Sequence, residues 1–223
     1  FMCAVRFAQK FPIFGTLERS FEFKRVLEFS GFLYIYSLLN FVLGKGLDIM
    51  LIGKLAANID EITYYALGFN FAFFSVGFFG LALTEGFATS LTVEVATTRP
   101  DKLREAFNVQ FEYIFFFAIP IAFGGMIVAR DLIVGLYGEK VAKAINVALI
   151  FFPLFLYAKL GALTATFLPA LDREKTLVFA RIIYGAFNIS LNILLIPRYG
   201  ALGAAIGTAI ASVVGIAYEM WIT

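Results

Sequence analysis

Long apolar runs separated by short polar breaks dominate this chain. Six runs have about 20 residues or more, and at 1.5 Å per residue such a helix spans a hydrocarbon core of roughly 30 Å. They cover approximately Leu27 to Leu55, Ile62 to Thr92, Phe107 to Ala129, Ile145 to Ala170, Leu177 to Ile196 and Ala201 to Ile222. The strands of a membrane barrel would instead alternate polar and apolar residues. The pattern predicts an all-α membrane protein with about six transmembrane helices.

Composition agrees with that class and narrows the chemistry. Hydrophobic residues make up 61% of the chain and charged residues 15%, which is more apolar than a usual soluble domain. A single cysteine, Cys3, and the absence of histidine exclude an intrachain disulfide, a Cys/His zinc site and an imidazole base. Since no carboxylate pair stands at a recognisable catalytic spacing, we expect no enzyme, no metal and no cofactor.

Two regions differ in composition. Residues 1–26 alternate bases, acids and aromatics after an apolar start, which predicts a cytoplasmic connector along the membrane interface, with the end of a preceding helix at its beginning. A solvated linker would have the same composition. Residues 27–223 form the predicted six-helix transmembrane region. We expect the chain to be a piece of a longer protein.

The distribution of Lys and Arg between the loops predicts orientation. With a cytoplasmic N-terminus, ten of them fall on the inner side and five on the outer side. Positive charge is enriched in cytoplasmic loops. Both ends of the chain are therefore predicted to be cytoplasmic, in a multi-pass protein of the cell (plasma) membrane.

The first two spans contain three charged residues that a bilayer tolerates poorly. Lys45 precedes Asp48 by three residues, so the two could pair on one helix face. Alternatively, they could sit near the outer end and extend to the interface. Glu85 in the second span shares a face with Thr89 and Thr92, and it could equally lie at the inner interface. Asp48 and Glu85 are candidates for ion coupling.

The fourth and fifth spans contain central polar residues. Lys159 is the charge farthest from any loop, which favours a position facing a cavity, with an acidic partner on another helix as the alternative. Arg181, Asn188 and Asn192 lie at helical spacing on one face. Such a ridge must face protein or water, either as a binding surface or as a set of interhelical hydrogen bonds.

The sixth span has small residues at intervals of four: Gly203, Gly207, Ala211 and Gly215. Small residues at this spacing allow two helix backbones to approach closely. We expect this face to pack against another helix.

Three motifs occur in an order and spacing that resemble a known family. They are Gly46-Leu-Asp-Ile-Met-Leu-Ile-Gly53 with Tyr64-Tyr-Ala-Leu-Gly68, then Leu132-Ile-Val-Gly-Leu-Tyr-Gly138, then the stretch from Leu171 to Ala205, in which Asn188, Asn192 and Ile196-Pro-Arg-Tyr-Gly200 precede Gly203 and Gly207. Together they resemble the C-terminal half of polysaccharide-type flippases, including O-antigen flippases, of the multidrug/oligosaccharidyl-lipid/polysaccharide exporter superfamily. The resemblance extends over roughly residues 23 to 221.

The resemblance implies a fold and a function. The fold would be two six-helix lobes around a cavity that opens alternately to either side, with this chain as the second lobe and the other lobe as its partner. The function would be translocation of a polyprenyl-pyrophosphate glycan for cell-surface polysaccharide synthesis. Cationic cavities are implied as well, and Lys159, Arg181 and Lys45 are the residues whose charge and depth fit, with Asn188 and Asn192 as further substrate contacts.

Two other functions remain open. A cation-coupled multidrug antiporter of the same superfamily would use buried carboxylates, for which Asp48 and Glu85 are available. A membrane scaffold that transports nothing would need none of these residues. Membrane lipids are expected partners, and nucleic acid is not.

Overall fold

The structure is a computed structural model that describes residues 23–78, 102–171 and 173–222. Every regular element within these ranges is helical. The helices are α1 (Phe23–Val42), α2 (Lys45–Leu55), α3 (Asp60–Ala72), α4 (Leu103–Tyr137), α5 (Lys143–Ala170) and α6 (Glu174–Ile222). A π-helical turn, Phe73–Phe78, continues α3, and a short 3-10 turn, Glu139–Val141, joins α4 to α5. The all-α prediction is confirmed for the described residues.

The first predicted span is broken rather than continuous. α1 ends at Val42, and α2 begins at Lys45 after Gly44, whose backbone is extended. A Cβ at Gly44 would lie 2.9 Å from the Asn40 carbonyl oxygen, so the break requires a residue without a side chain. Glycine also destabilises a helix interior. The break divides the first predicted span into two helices.

The longest helix contains two predicted spans. α6 has 49 residues, about 74 Å of helix, which is more than twice the roughly 30 Å of a hydrocarbon core. Gly200 interrupts it with φ of 56° and ψ of −130°, a conformation that favours glycine. We call residues 174–199 the first half of α6 and residues 201–222 the second half.

The two halves of α6 pack antiparallel through the small-residue face. A Cβ at Gly203 would meet the Leu195 carbonyl oxygen at 2.5 Å, and one at Gly207 would meet Asn192 Oδ1 at 2.7 Å. Gly215 lies against Ala180 and Tyr184 in the same way. The predicted helix–helix contact is therefore confirmed, and its partner is the preceding half of the same helix.

Four helical segments of the described ranges are long and apolar enough to cross a membrane. They are Leu27–Leu55, Arg104–Tyr137, Lys143–Pro169 and Glu174–Ile222. The second predicted span is described only as far as Phe78. Because α6 supplies two crossings, the described helices account for five of the six predicted spans. The remaining one is the second span, which lies partly outside the described residues. The chain is a multi-pass membrane protein.

Helix α5 is the central element, packed against α3, α4 and α6. Its fully buried Phe152 makes an edge contact with Phe71, with ring centroids 5.9 Å apart. A Cβ at Gly125 of α4 would meet the Phe152 ring at 2.3 Å, so this glycine makes room for the ring. Within a bilayer such close packing is the main source of helix association.

Glu61 connects three elements at one end of the bundle. Its Oε2 accepts a hydrogen bond of 2.8 Å from the Ala201 N–H, the first residue after the break in α6. Its Oε1 lies 3.7 Å from Lys143 Nζ at the start of α5. A carboxylate at the start of a helix satisfies an N–H that has no partner within the helix. Glu61 thus fixes the turn at Gly200 against α3 and α5.

Candidate functional site

Asp48 lies inside the bundle and is 1% exposed. Four neutral side chains donate hydrogen bonds to it: Tyr65 at 2.5 Å and Thr208 at 3.0 Å to Oδ2, and Asn192 at 2.8 Å and Asn188 at 3.2 Å to Oδ1. These five residues, which we call the Asp48 cluster, come from α2, α3 and both halves of α6. The cluster therefore joins four helical segments at one carboxylate.

The Asp48 cluster contains a carboxyl group but no positive partner among the described residues. Asn192 Nδ2 also donates to Asn188 Oδ1 at 3.2 Å, whereas Asn192 Oδ1 is buried and has no hydrogen-bond partner in the described part of the chain. A buried carboxylate is costly unless it is paired, coordinated or protonated. The arrangement of oxygen atoms around Asp48 can chemically hold a cation or a proton.

A cavity of about 290 Å³ lies beside the cluster, between α1, α2, α3, α5 and α6. Of the described residues, four charged ones contribute to its lining: Lys45, Asp48, Arg181 and Glu219. The rest of the wall is mostly aromatic and small aliphatic side chains, among them Phe69, Phe155 and Ala158. A few charged groups on an apolar wall are typical of a ligand site.

Lys45 begins α2 and faces this cavity. Its Nζ donates to Asn70 Oδ1 at 2.7 Å and lies 5.1 Å from the centre of the Phe69 ring. The expected local pair with Asp48 is therefore replaced by contacts with α3. Because the helix breaks just before Lys45, this side chain is directed across the bundle instead of along one helix.

Arg181 is the second base of the cavity. Its Nη2 donates to Asn40 Oδ1 of α1, and its guanidinium group lies 4.6 Å from the centre of the Tyr184 ring. Its Nε is buried without a hydrogen-bond partner among the described residues. The guanidinium group therefore has donor capacity that its described neighbours do not use.

The other predicted substrate contacts have different surroundings. Asn188 and Asn192 are fully buried and are directed at Asp48, in agreement with the alternative of interhelical hydrogen bonds. Lys159 is 8% exposed, and its Nζ donates to the Gly77 carbonyl of the π-helical turn at 3.3 Å. Lys159 is not part of the cavity wall. Glu85 lies outside the described residues.

Sequence reasoning missed Glu219. This residue is 7% exposed, and its Oε2 accepts a hydrogen bond of 2.6 Å from Thr164 of α5. It stands two residues before Trp221, which is 85% exposed, so by position it resembles a residue at the end of a span. Its position one turn after Gly215 on the small-residue face was the available signal.

A solved structure is similar to this chain. It is described as the lipid II flippase MurJ in an inward closed conformation, and it matches with a TM-score of 0.69 and 20% sequence identity. The match covers 84% of this chain and 40% of that chain, so this chain spans well under half the length of that protein. At this identity the likeness shows the fold, which is that of one part of a membrane transporter.

Sequence comparison gives the family. No curated protein sequence matches the chain significantly. The family described as polysaccharide biosynthesis protein matches residues 2–146, which is more than half of the 223 residues. This match confirms the resemblance found in the motifs. The chain belongs to the polysaccharide biosynthesis protein family.

Proposed function

We propose that this chain is one six-helix lobe of a flippase that moves a polyprenyl-pyrophosphate glycan across the plasma membrane for cell-surface polysaccharide synthesis. The observation that carries the proposal is the cavity among membrane-spanning helices with Lys45 and Arg181 in its wall. Membership of the polysaccharide biosynthesis family and a fold shared with a protein described as a lipid II flippase support it.

The two cavity bases suit a pyrophosphate group. Arg181 offers a planar set of donors that matches phosphate oxygens in a bidentate geometry, and Lys45 offers a more compact charge. Both act in a low-dielectric surrounding, where attraction to an anion is stronger than in water. The lipid tail would remain in the bilayer while the charged headgroup crosses through the cavity.

A second lobe of similar size is part of the proposal. The match to a transporter of which this chain spans 40% supports it. Exposed apolar side chains on α1, such as Tyr34 and Phe41, offer a surface that lipid or another lobe would cover. We propose that the cavity opens toward that lobe and that both ends of this chain are cytoplasmic.

The Asp48 cluster is the proposed coupling site for a cation or a proton. Its carboxylate has four neutral donors and no described positive partner. The same observation favours the second candidate function, a cation-coupled multidrug antiporter. The two functions differ in the cargo: a flippase needs the cavity bases for an anionic headgroup, whereas a drug antiporter needs the cavity acids for a cationic one.

The cargo can be tested with the full-length protein in proteoliposomes. A fluorescent prenyl-pyrophosphate sugar is supplied, and its movement is followed by chemical quenching of the outer leaflet. We expect Arg181→Gln to slow flipping by about tenfold or more, since a charged hydrogen bond to the headgroup is worth at least 1.5 kcal/mol. Arg198→Gln is the matched control because Arg198 is exposed in the described structure.

Two outcomes would contradict the proposal. One is an unchanged rate for a folded Arg181→Gln protein. The other is transport of a cationic dye that Asp48→Asn abolishes, with no movement of the labelled lipid in any variant, which would support the antiporter instead.

A further inference from the structure

The formal charges of the described residues in the cavity wall balance. Lys45 and Arg181 contribute two positive groups, and Asp48 and Glu219 contribute two negative groups. A balanced wall lowers the cost of an empty charged cavity inside a bilayer. It also opposes the entry of an anion, because the bases are already offset by acids. An acid that moves away from the bases would remove this obstacle to an anionic headgroup.

Asp48 is poorly suited to move away from the bases. Four donors from α3 and both halves of α6 hold its two oxygens, and removing the carboxylate from them would take away the described acceptor of the Tyr65 and Thr208 hydroxyls and one acceptor of each asparagine. Its side chain is also shorter than that of Glu219. The Asp48 carboxylate is therefore fixed in position.

Glu219 is placed beside Arg181 by the packing of the two α6 halves. Gly215 of the second half lies against Ala180 and Tyr184 of the first half, with a Cβ position 3.3 Å from the Ala180 carbonyl oxygen. Glu219 follows Gly215 by one turn on the same face, and Arg181 follows Ala180 directly. Both side chains line the same cavity.

Glu219 is held close to α5. A Cβ at Gly161 of α5 would meet the Ile216 side chain at 2.9 Å and would lie 3.7 Å from Glu219 Oε2, an ordinary contact distance, so α5 packs tightly against the helix turn before Glu219. The Thr164 hydroxyl holds Oε2 on the α5 side of the cavity. Glu219 also has one more methylene group than aspartate and lies in the last turn of α6, which ends at Ile222.

We propose that Glu219 is an internal counter-anion for Arg181, which the phosphate of an entering substrate replaces. This inference rests on the proposed function, because it assumes that Arg181 binds an anion. In the empty cavity the Glu219 carboxylate offsets the guanidinium charge. When a phosphate binds, its oxygens take over the guanidinium donors, including the Nε that is unused in the described structure. When the phosphate leaves, Glu219 offsets the charge again and so assists release.

The experiment measures binding of geranyl pyrophosphate, a short prenyl pyrophosphate, to the detergent-solubilised full-length protein by calorimetry. Geraniol, which lacks the phosphates, is the neutral probe. We expect Glu219→Gln to tighten geranyl pyrophosphate binding by roughly tenfold and to leave geraniol unchanged, because only the anion competes with a carboxylate. Glu112→Gln is the matched control, since Glu112 is exposed on α4 outside the cavity.

A double variant identifies the residue on which Glu219 acts. If Glu219 offsets Arg181, then Arg181→Gln together with Glu219→Gln should bind no more tightly than Arg181→Gln alone, so the two effects will not add. A gain that persists without Arg181 would overturn the inference. Unchanged affinity of a folded Glu219→Gln protein would also overturn the inference. If binding still depends on Arg181 in that protein, the proposed function stands. If geranyl pyrophosphate does not bind, or if Arg181→Gln leaves its binding unchanged, both this inference and the proposed function are overturned.

Thr164→Val tests the same idea if Glu219→Gln does not yield folded protein. Removing the hydroxyl donor leaves the carboxylate more dependent on Arg181, which strengthens the competition with the probe. We expect geranyl pyrophosphate to bind a few-fold more weakly, the opposite of the glutamine variant. Unchanged or tighter binding by Thr164→Val would contradict the inference.

Discussion

The Asp48 carboxylate is tolerated inside the bundle because neutral groups on other helices donate to it. An acid at the centre of a membrane helix costs about 2.5 to 3.5 kcal/mol on insertion scales. Hydrogen bonds to a charged acceptor contribute about 1.5 to 3 kcal/mol each. Tyr65, Asn192 and Thr208 all lie within 3.0 Å of its oxygens, so the cluster can offset that cost while it holds the helices together.

Replacing Tyr65 by phenylalanine should therefore destabilise the protein. The hydroxyl group donates to Asp48 Oδ2 at 2.5 Å, and its loss leaves a buried carboxylate oxygen with one donor fewer. We expect a loss of about 1.5 to 3 kcal/mol, measured as a lower melting temperature in detergent. Tyr64→Phe is the control on the same helix, since the described contact of Tyr64 is a ring contact with Lys143 that phenylalanine keeps. Equal melting temperatures for the two variants would contradict a stabilising role for the hydrogen bond between Tyr65 and Asp48.

Lys159 is expected to act through structure rather than through the substrate. Its Nζ donates to the Gly77 carbonyl in the π-helical turn. Lys159→Ala should lower the melting temperature, because a buried carbonyl loses a donor at a cost of about 1 to 3 kcal/mol. Lys159→Arg, which keeps a donor, should lose less. If Lys159→Ala is fully stable but no longer exports glycan, Lys159 instead acts as a substrate-binding residue.

The sequence predicted which residues are polar and deep, but not which of them meet. Asn188 and Asn192 were found from their spacing, which one helix determines. Their acceptor, Asp48, lies 140 and 144 positions away, and its direction depends on how α2 is rotated after the break at Gly44. Contacts of this kind depend on tertiary packing, which periodicity does not report.

At the scale of helices, the turn at Gly200 had a clear signal in the sequence and the break at Gly44 did not. Ile196-Pro-Arg-Tyr-Gly200 combines a proline with a glycine between two apolar runs, which indicates the end of one helix. Gly44 stands inside the first predicted span, where Lys45 and Gly46 follow it but neither a proline nor a polar loop marks a boundary, and a glycine there is compatible with a continuous helix. Its close approach to the Asn40 carbonyl appears only in three dimensions.

The contact between the α6 halves can be tested at Gly203. A methyl group there would lie 2.5 Å from the Leu195 carbonyl oxygen, and backbone cannot yield as a flexible side chain can. Gly203→Ala should therefore destabilise the protein by about 1 to 3 kcal/mol. Gly135→Ala is the control in α4, where nothing lies within 4 Å of the added carbon, and it should be neutral or stabilising by up to about 1 kcal/mol. A Gly203→Ala protein as stable as this control would contradict the close packing.

At the scale of the whole molecule, the predicted architecture is confirmed as a helical membrane protein with the fold of a transporter part. Run length and polar breaks were sufficient for this, because a bilayer restricts spanning segments to helices or closed barrels. The position of the cavity could not be derived in this way. It results from the packing of α1, α2, α3, α5 and both halves of α6, and single-helix patterns do not specify such packing.

The orientation remains a prediction for the intact molecule. With Cys3 replaced by serine, single cysteines are placed at Asn58 and at Lys102, both exposed in the structure. If both ends are cytoplasmic, an impermeant thiol reagent added to whole cells should label the cysteine at position 58 and leave the one at position 102 unlabelled. Permeabilised cells, in which both should react, are the control. The reverse pattern in whole cells would invert the topology.

The antiparallel contact within α6 has a consequence for biogenesis. Asn188 and Asn192 would face lipid if residues 174–199 entered the membrane alone, and unsatisfied amides in hydrocarbon are costly. Thr208 and the glycine face that covers these amides lie in residues 201–222, directly after the Gly200 turn. The two halves are therefore suited to leave the translocon together as a hairpin, with the amides already covered. The Asp48 carboxylate is synthesised much earlier. It therefore lacks its asparagine donors until the last two crossings have entered the bilayer.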